Sequence, residues 1–181
     1  MPPKEIADYA TGLCREVKES NEVSFSLDGI NNFPHITIYQ LIISDKNLAK
    51  LIEVLGLTVA KISPQKLEFI GFQEHFGFLG ASFKPFEDIK AAQREIVEKA
   101  TTLREGRNVL EVDDPRTKSW PESHKKIIAE YGFDNLFDFY NPHITVTRLP
   151  DFEIAKDLTG KLTWPFEEFK AASIGLYTLG D

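Results

Sequence analysis

The sequence predicts an α+β fold, because helical segments and segments rich in β-branched and aromatic residues alternate without a strict strand, helix, strand order. The chain has 181 residues, 42% of them hydrophobic, which is enough for one well-buried domain and short for two. The two halves of the chain also repeat a similar order of elements. We therefore expect a single domain that spans residues 1–181.

The first half begins with a predicted helix, EIADYATGLCREVKE, in which apolar residues recur every three or four positions. The segments EVSFSL and PHITIYQLII flank the turn-like DGINNF and predict a strand, loop, strand hairpin. SDKNLAKLIEVLG predicts a helix that begins at a Ser or Asp cap and ends at Gly56. KLEFIGFQEHFGFLGASF predicts strands interrupted by glycines, and FEDIKAAQREIVEKATTLREG predicts a long helix closed by Gly106.

The second half predicts a helix at PESHKKIIAEYGF, a strand at NPHITVTRL, a helix with proline at its start at PDFEIAKDLTG, and a final strand at KAASIGLYTLG. Between the halves, EVDDPRTKSW is polar and contains proline. It predicts a surface loop near the junction of the two halves. The sequence assigns no role to the surrounding region, residues 101–123.

The charge and the composition of the chain exclude some classes of binding partner. The net charge of −7 argues against extended, nonspecific binding to nucleic acid, which depends on neutralising many phosphates. A small anion or one end of an RNA remains compatible with this charge. We expect no membrane partner, since no apolar run is long enough and the N-terminus lacks the features of a signal peptide. A single cysteine, Cys14, cannot form an internal disulfide, so we expect a cytoplasmic protein. We also expect the protein to be a monomer.

One short motif occurs twice. Pro-His-Ile-Thr appears in FPHITIYQ and in NPHITVTR, each time within a predicted strand. Because successive strand side chains point to opposite faces, His35 and Thr37 share one face, roughly 7 Å apart along the strand. His143 and Thr145 share a face in the same way, together with Thr147. A single copy would mean little, since Ile and Thr favour strands, but packing does not require a histidine twice on the face away from the aliphatic residues.

Two histidines and two hydroxyls suit the cleavage of a phosphodiester without a metal. The reaction needs a base for the attacking oxygen and an acid for the leaving oxygen, and an unperturbed imidazole, with a pKa of about 6.5, can serve as either. A threonine hydroxyl beside each histidine can donate a hydrogen bond to a phosphoryl oxygen. We expect no cofactor and no metal, since the sequence has no His-Glu-x-x-His motif and no cysteine cluster.

The duplicated motif resembles that of the two-histidine (2H) phosphoesterase superfamily, and most closely its bacterial 2′-5′ RNA ligase and cyclic phosphodiesterase branch. The resemblance implies two pseudo-symmetric lobes whose antiparallel sheets line a central cleft, with helices on the outside. It also implies hydrolysis of 2′,3′-cyclic phosphate ends of nucleotides or RNA, or making and breaking of 2′-5′ bonds. His35 and His143 would be the acid and base, and Thr37 and Thr145 the phosphate donors. The alternative is a module that binds a nucleotide or RNA terminus in the same cleft without turnover.

Three further residues are candidates for binding the substrate. Tyr39 is predicted to share the face of His35, and Tyr140 precedes His143; either ring could stack on a base or ribose, or belong to the core. Arg148 follows the second motif, as an arginine often does in the family that the motif resembles. Strict alternation places Arg148 on the face opposite His143 unless the strand ends or bulges there, so phosphate binding and a structural ion pair both remain open. His75 and His124 are expected to be structural.

Overall fold

The computed structural model describes residues 1–106, 108–109, 114–171 and 173–178, although of Arg116 it describes the backbone alone. Within them the fold is α+β, as predicted, with five α-helices and one five-stranded antiparallel sheet. The helices are α1 (Lys4–Ser20), α2 (Asp45–Val59), α3 (Glu87–Ala100), α4 (Glu122–Tyr131) and α5 (Phe152–Thr159). Short 3₁₀ helices cover Thr101–Leu103, Pro115–Thr117 and Phe137–Phe139.

The sheet contains β1 (Phe25–Ser26), β2 (Gln65–His75), β3 (Phe78–Phe83), β4 (His143–Arg148) and β5 (Glu168–Ala171). The spatial order is β1-β4-β3-β2-β5, and each neighbouring pair is antiparallel. Strands β2 and β3 form a hairpin through a two-residue turn, Phe76 and Gly77, both with positive φ. Positive φ at both positions is the signature of a type I′ turn, whose twist matches that of the flanking strands.

The chain divides into two compact units. Unit 1 comprises Met1–Ile36, Pro64–Phe86 and Pro142–Gly175, and unit 2 comprises Thr37–Ser63, Glu87–Asn141 and Leu176–Asp181. Every strand named above lies in unit 1, while α2, α3 and α4 lie in unit 2. Each unit is therefore assembled from separate segments of the chain.

In unit 1, helices α1 and α5 pack on one face of the sheet. Val17 of α1 and Ala155 of α5 form a buried cluster with Leu79 of β3 and with Leu149. Trp164 adds an aromatic cluster, in which its ring lies 5.7 Å from that of Phe69 and nearly parallel to it. Because Leu79 points to this face, its neighbour Gly80 points to the other. The apolar cluster of unit 1 that contains Leu79 thus lies on one side of the sheet, and Gly80 belongs to the other side.

In unit 2, the helices enclose two apolar clusters. The first contains Leu51, Ala100 and Leu103, and the second contains Val97, Phe133 and Leu136. Tyr39 packs against both clusters. The apolar stripe of α3 explains this arrangement, since its buried residues recur at helical spacing from Ile89 to Ala100.

The prediction of a strand at PHITIYQLII is wrong. Only Ile36 makes a bridge to the sheet, and the following residues, which the structure describes, form no strand. The apolar residues Tyr39, Leu41 and Ile43 pack instead against the helical cluster of unit 2. β-Branched and aromatic residues favour any half-buried surface, so their enrichment did not distinguish a strand from an extended segment lying on helices. Among the described residues of unit 2 there is accordingly no second sheet.

Several predicted boundaries also change. Helix α2 does not end at Gly56 but runs on to Val59, with the carbonyl of Gly56 still accepting a helical hydrogen bond from Ala60. The helix predicted from FEDIKAAQREIVEKATTLREG ends at Ala100 and continues as a 3₁₀ turn. The final strand is Glu168–Ala171, earlier than predicted, while 173–178 form no strand. Of the loop EVDDPRTKSW, residues 111–113 lie outside the described residues, and Pro115–Thr117 form a 3₁₀ turn.

Strand β4 contains a bulge that the sequence did not reveal. Gly80 pairs with Thr145 and Leu79 pairs with Thr147, so Val146 is an extra residue on β4. In such a bulge, two residues on one strand face one residue on the other, and the alternation shifts by one position. Val146, Thr147 and Leu79 are all fully buried, as expected if they share the core face. Thr147 therefore does not share the face of Thr145, contrary to the prediction from strict alternation.

Within the part of the chain that the structure describes, no helix combines the length and the apolar character needed to cross a membrane.

Candidate functional site

The face of the sheet opposite α1 and α5 carries His143, and the register of the bridge at Ile36 sets His35 on the same side; we call it the motif face. Its residues are fixed by the strand pairing, because directly opposed residues of an antiparallel pair point to the same side. His143 faces Ser82, and Thr145 faces Gly80. The antiparallel bridge between Ile36 and Ile144 places His35 across from Thr145 on the other edge of β4.

By the register of this bridge, residues His35 and His143 are diagonal neighbours. His35 is opposite Thr145, which is two residues from His143, and the Cα atoms of such diagonal neighbours lie roughly 7–8 Å apart. That separation allows a tetrahedral phosphate to lie between two imidazoles, each of which extends from its Cα. His35 is exposed and His143 is half-buried. The structure thus brings His35, His143 and Thr145 together, although the first motif is not a strand.

The ring of His35 is oriented by its own backbone. Nδ1 of His35 lies 2.9 Å from the carbonyl oxygen of Phe33. A carbonyl oxygen only accepts hydrogen bonds, so Nδ1 carries the proton and Nε2 is the nitrogen left to exchange a proton with a ligand. The Phe33 ring lies edge-on to the imidazole, 5.8 Å between centroids. These two contacts hold the imidazole in the tautomer that a general base or acid acting through Nε2 requires.

The loop before His35 is organised by one carboxylate. Oδ1 of Asp28 accepts hydrogen bonds from the backbone N–H groups of Ile30, Asn31 and Asn32, at 2.8, 2.8 and 2.9 Å. These bonds, first that of Asn32 and then that of Ile30, lower the pKa of the Asp28 carboxyl group. Because the pKa is depressed in the folded loop, the ionised carboxylate stabilises the loop above the unfolded pKa, and this contribution is lost as the pH falls through the folded pKa.

We expect Asp28→Ala to loosen this loop, because three N–H groups lose their acceptor. The amides of Ile30, Asn31 and Asn32 should exchange with solvent about tenfold faster in the variant. In the wild type they should lose protection only when the pH falls below the usual range of an aspartate carboxyl group, because the pKa of Asp28 is lowered in the folded loop. Hydrogen exchange followed by NMR measures both effects. Asp157→Ala, which removes a carboxylate bound to the Lys161 side chain, is the matched control and should leave these amides unchanged; equal protection in all three proteins would contradict the role of Asp28.

Gly80 makes room for the ring of His143. A Cβ atom at Gly80 would lie 3.1 Å from the carbonyl oxygen of Ile144 and 3.6 Å from Cδ2 of His143. The first distance is tight enough that the backbone of Ile144 would have to shift by a few tenths of an ångström, and the second is an ordinary van der Waals contact with the imidazole. Gly80 thus lies beneath the imidazole of His143, and its lack of a side chain lets the backbones of β3 and β4 approach closely here.

The bulge at Val146 returns Arg148 to the motif face. Arg148 pairs with Phe78, which is two residues from Gly80 and therefore points to the same side. The guanidinium lies 4.9 Å from the centroid of the Phe78 ring, and Nε donates to the carbonyl oxygen of Phe76 at 3.4 Å. Strict alternation would place Arg148 on the face opposite His143, but because of the bulge Arg148 shares the face of His143. A direct role in binding phosphate stays a prediction.

Thr37, Tyr39 and Tyr140 lie in unit 2, where both tyrosines belong to the core. Tyr140 is 3% exposed, and its hydroxyl donates to the carbonyl oxygen of Thr37 at 3.3 Å. Burial raises the pKa of the Tyr140 hydroxyl. Tyr39 is half-buried and donates to the carbonyl oxygen of Tyr131 at 2.7 Å. The expectation that Tyr140 stacks on a base is therefore corrected, because its ring has no accessible face; the core alternative describes both tyrosines better.

Gln93 is the residue that the sequence analysis missed. It is fully buried in unit 2, and its amide nitrogen donates to the carbonyl oxygens of Ile38, at 3.1 Å, and of Asn135, at 3.0 Å. Its amide oxygen accepts from the N–H of Phe137 at 2.8 Å, although Phe137 has a positive φ of 56°. Gln93 therefore ties the segment after the first motif to the segment before the second.

Asn135 extends this network to the second motif. Its side-chain oxygen accepts from the N–H of Asn141 at 2.6 Å, and its nitrogen donates to the carbonyl oxygen of the same residue at 3.2 Å. Asn141 is the residue that opens NPHITVTR. A signal for this network was present in the sequence, since Gln93 falls on the apolar stripe of α3, in phase with Ile89 and Ile96.

The other histidines lie outside the motifs. The ring of His124 is stacked between Trp120 and Phe139, with centroids 4.3 and 3.9 Å away, and Nε2 lies 2.9 Å from the carbonyl oxygen of Asp134. This arrangement agrees with a structural role. His75 is exposed and adjoins the hairpin turn, with its ring 4.3 Å from that of Phe76.

No group of three His, Cys, Asp or Glu side chains capable of holding a metal ion occurs within residues 1–106, 108–109, 114–171 and 173–178. The expectation of catalysis without a metal stays a prediction. A groove of about 450 Å³ lies elsewhere in unit 1, lined by Trp164, Phe69, Phe166 and three glutamates. Glu68 and Glu168 of this groove pair with Lys84 and Lys66, and none of the motif residues lines it.

No known family model matches this chain, and no curated protein is significantly similar to it. The resemblance to the 2H superfamily therefore depends on the two motifs.

Proposed function

We propose that this protein is a metal-independent phosphoesterase of the two-histidine type that hydrolyses 2′,3′-cyclic phosphate ends of nucleotides or RNA. The observation that carries the proposal is the antiparallel bridge between Ile36 and Ile144, which joins the two motifs and whose register sets His35 diagonal to His143, with Thr145 beside both. The two motif histidines are 108 residues apart in the chain. If each motif served only local packing, nothing would require the two histidines to lie on the same face. The bilobal form with a central cleft, which the resemblance implies, belongs to the same proposal.

In the proposed reaction, the two imidazoles account for both proton transfers. One imidazole takes a proton from a water molecule through Nε2 while the water oxygen attacks phosphorus. The bond from phosphorus to one ribose oxygen breaks, and the second imidazole, initially protonated, gives its proton to that oxygen. The products are a phosphate monoester and a free ribose hydroxyl, and the two imidazoles have exchanged protonation states. Either histidine fits either role.

Other groups near the two imidazoles would bind the phosphate and stabilise its negative charge. The Thr145 hydroxyl, and the Thr37 hydroxyl as predicted from the first motif, would donate hydrogen bonds to phosphoryl oxygens. Arg148 would supply positive charge on the same face, which matters in a chain of net charge −7. If a ribose 5′-hydroxyl replaced water as the nucleophile, the same groups would form a 2′-5′ bond, the possible ligase activity.

The proposal predicts hydrolysis of nucleoside 2′,3′-cyclic phosphates in the presence of a strong chelator. The rate should depend on pH along a bell-shaped curve, since one imidazole must be neutral and the other protonated. Chromatography of the products, with assignment of the 2′- or 3′-phosphate, measures the reaction. If the activity vanished with the chelator, the two histidines would have to be interpreted as metal ligands and not as an acid and base pair. Nucleotide binding without turnover would favour the non-catalytic binding module.

A further inference from the structure

We propose that Phe78 forms a subsite on the motif face that stacks on the base of the substrate nucleotide. This inference deepens the function proposed above and rests on it, since it names a nucleobase as part of the substrate. It assigns the ligand of the subsite to a chemical class, the planar heterocycle of a nucleoside, without preference for one base. Aromatic rings stack on bases with little sequence preference, because every base has a π-face.

The first argument is the exposure of Phe78. Among the six residues of β3, Phe78 alone is exposed, at 39%, while the other five are buried. The pairing of Phe78 with Arg148 places the ring on the motif face rather than on the core face. A large aromatic ring is thus presented on the side of the sheet that carries both motif histidines.

The second argument is the spacing along the strands. Phe78 is two residues from Gly80, and therefore roughly 7 Å beyond the row that contains Gly80, Thr145 and His35. This is about the distance from the phosphate of a nucleotide to its own base. A cyclic phosphate held beside His35 and Thr145 could therefore extend its base toward the part of the Phe78 ring that Arg148 leaves exposed. Gly80 contributes no side chain to the space between the two positions.

The third argument is that the ring is held in place before any ligand binds. The Arg148 guanidinium lies over the ring at 4.9 Å and is itself bonded to the Phe76 carbonyl oxygen. Phe76 has a φ of 51°, which is uncommon for a bulky residue, and the N–H of Gly77 donates to the Glu74 carboxylate at 2.7 Å. Such strained positions persist where the surrounding structure determines them. A fixed platform loses little conformational freedom when a base stacks on it.

The test compares nucleoside 2′,3′-cyclic phosphates with ribose 2′,3′-cyclic phosphate, which has the same reacting group and no base. The wild type should prefer the nucleoside substrates, and Phe78→Ala should raise their KM about 5- to 100-fold, the range that single base stacks contribute. The KM for the ribose substrate, which has no base to stack, should rise by less than the KM for the nucleoside substrates, because any displacement of Arg148 affects both kinds of substrate equally. Phe78→Trp, which keeps an aromatic face, should restore the preference for a base.

The matched control is Phe86→Ala. The Phe86 ring also carries a cation at 4.9 Å, from Lys84, but it lies beyond the end of β3. Its removal should leave the preference for nucleoside substrates unchanged. Equal preference in the wild type and in Phe78→Ala, or no preference in the wild type, would overturn the subsite.

A separate measurement distinguishes failure of the subsite from failure of the proposed function. If no cyclic phosphate is turned over, the proposed hydrolysis is wrong, and calorimetry with adenosine 3′-monophosphate and ribose 3-phosphate still tests the subsite. Tighter binding of the nucleotide, lost in Phe78→Ala and retained in Phe86→Ala, would support a base-binding face without catalysis. Equal affinity for the two ligands in the wild type, or binding of neither, would overturn the subsite as well.

Discussion

His35→Ala and His143→Ala should each lower the kcat for 2′,3′-cyclic phosphate hydrolysis by about 10²- to 10⁴-fold, the range that one general acid or base contributes. Each variant removes a proton donor or acceptor that the other imidazole cannot replace, because one must be neutral while the other is protonated. The double variant should be little worse than either single one, since groups that act as a unit do not add. Single-turnover and steady-state kinetics in the presence of a chelator measure these effects.

Two controls separate chemistry from folding. His35→Asn retains an amide that can donate to the Phe33 carbonyl oxygen in place of Nδ1, so the loop should persist while activity is lost. His75→Ala removes an exposed imidazole of the same unit that belongs to neither motif; because His75 pairs with Phe78, its loss can change KM but should leave kcat within a few fold of the wild type. If His75→Ala lost as much activity as the motif variants, or if either motif histidine proved dispensable, the acid and base assignment would be wrong.

Gln93→Leu should lower the free energy of unfolding by about 3 kcal/mol, the largest stability effect that we expect from a single polar residue here. Leucine fills a similar volume but leaves the carbonyl oxygens of Ile38 and Asn135 and the N–H of Phe137 without their partners. A buried group deprived of its hydrogen bond costs roughly 1–3 kcal/mol, with partial relaxation when several share one site. The midpoint and slope of urea unfolding give this free energy.

Gln40→Leu is the matched control for Gln93→Leu. Gln40 is a half-buried glutamine of the same unit, and its replacement should change stability by no more than about 0.5 kcal/mol. If Gln93→Leu unfolded at the same urea concentration as the wild type, the network through Ile38, Asn135 and Phe137 would not stabilise unit 2. A change in the slope instead would point to an altered denatured state.

Local signals in the sequence were sufficient for the five helices and for the strand character of β2 and β3, whereas the pairing of these two strands as a hairpin came from the structure. Helix α5 illustrates this, because PDFEIAKDLTG predicts a helix with proline at its start. In the structure the helix begins at Phe152, directly after Asp151, whose side chain accepts hydrogen bonds from the N–H groups of Glu153 and Ile154. The duplicated motif likewise required no structure to be noticed, and its two histidines do share a face. Capping, helical periodicity and turn composition act between residues close in the chain, so they can be recognised without knowledge of distant partners.

The environment of each candidate side chain was decided by tertiary contacts. The residues after His35 have strand composition, yet they pack on the helices of unit 2, because an apolar segment is buried wherever a complementary surface exists. Tyr140 became a core residue for the same reason. The sequence could state which residues are apolar or β-branched, but the surface that buries them comes from segments far away in the chain.

Arg148 and Gln93 show most clearly which features come from the sequence and which depend on tertiary contacts. A single extra residue, Val146, inverts the alternation of β4 and moves Arg148 to the motif face, and this register depends on the pairing with β3. Gln93 is buried because three backbone groups from two other segments meet its amide. The sequence by itself determined the chemistry available to this protein, an imidazole and a hydroxyl in each of two motifs. Strand register and burial, which are set by long-range packing, determined which of those groups lie within reach of one another.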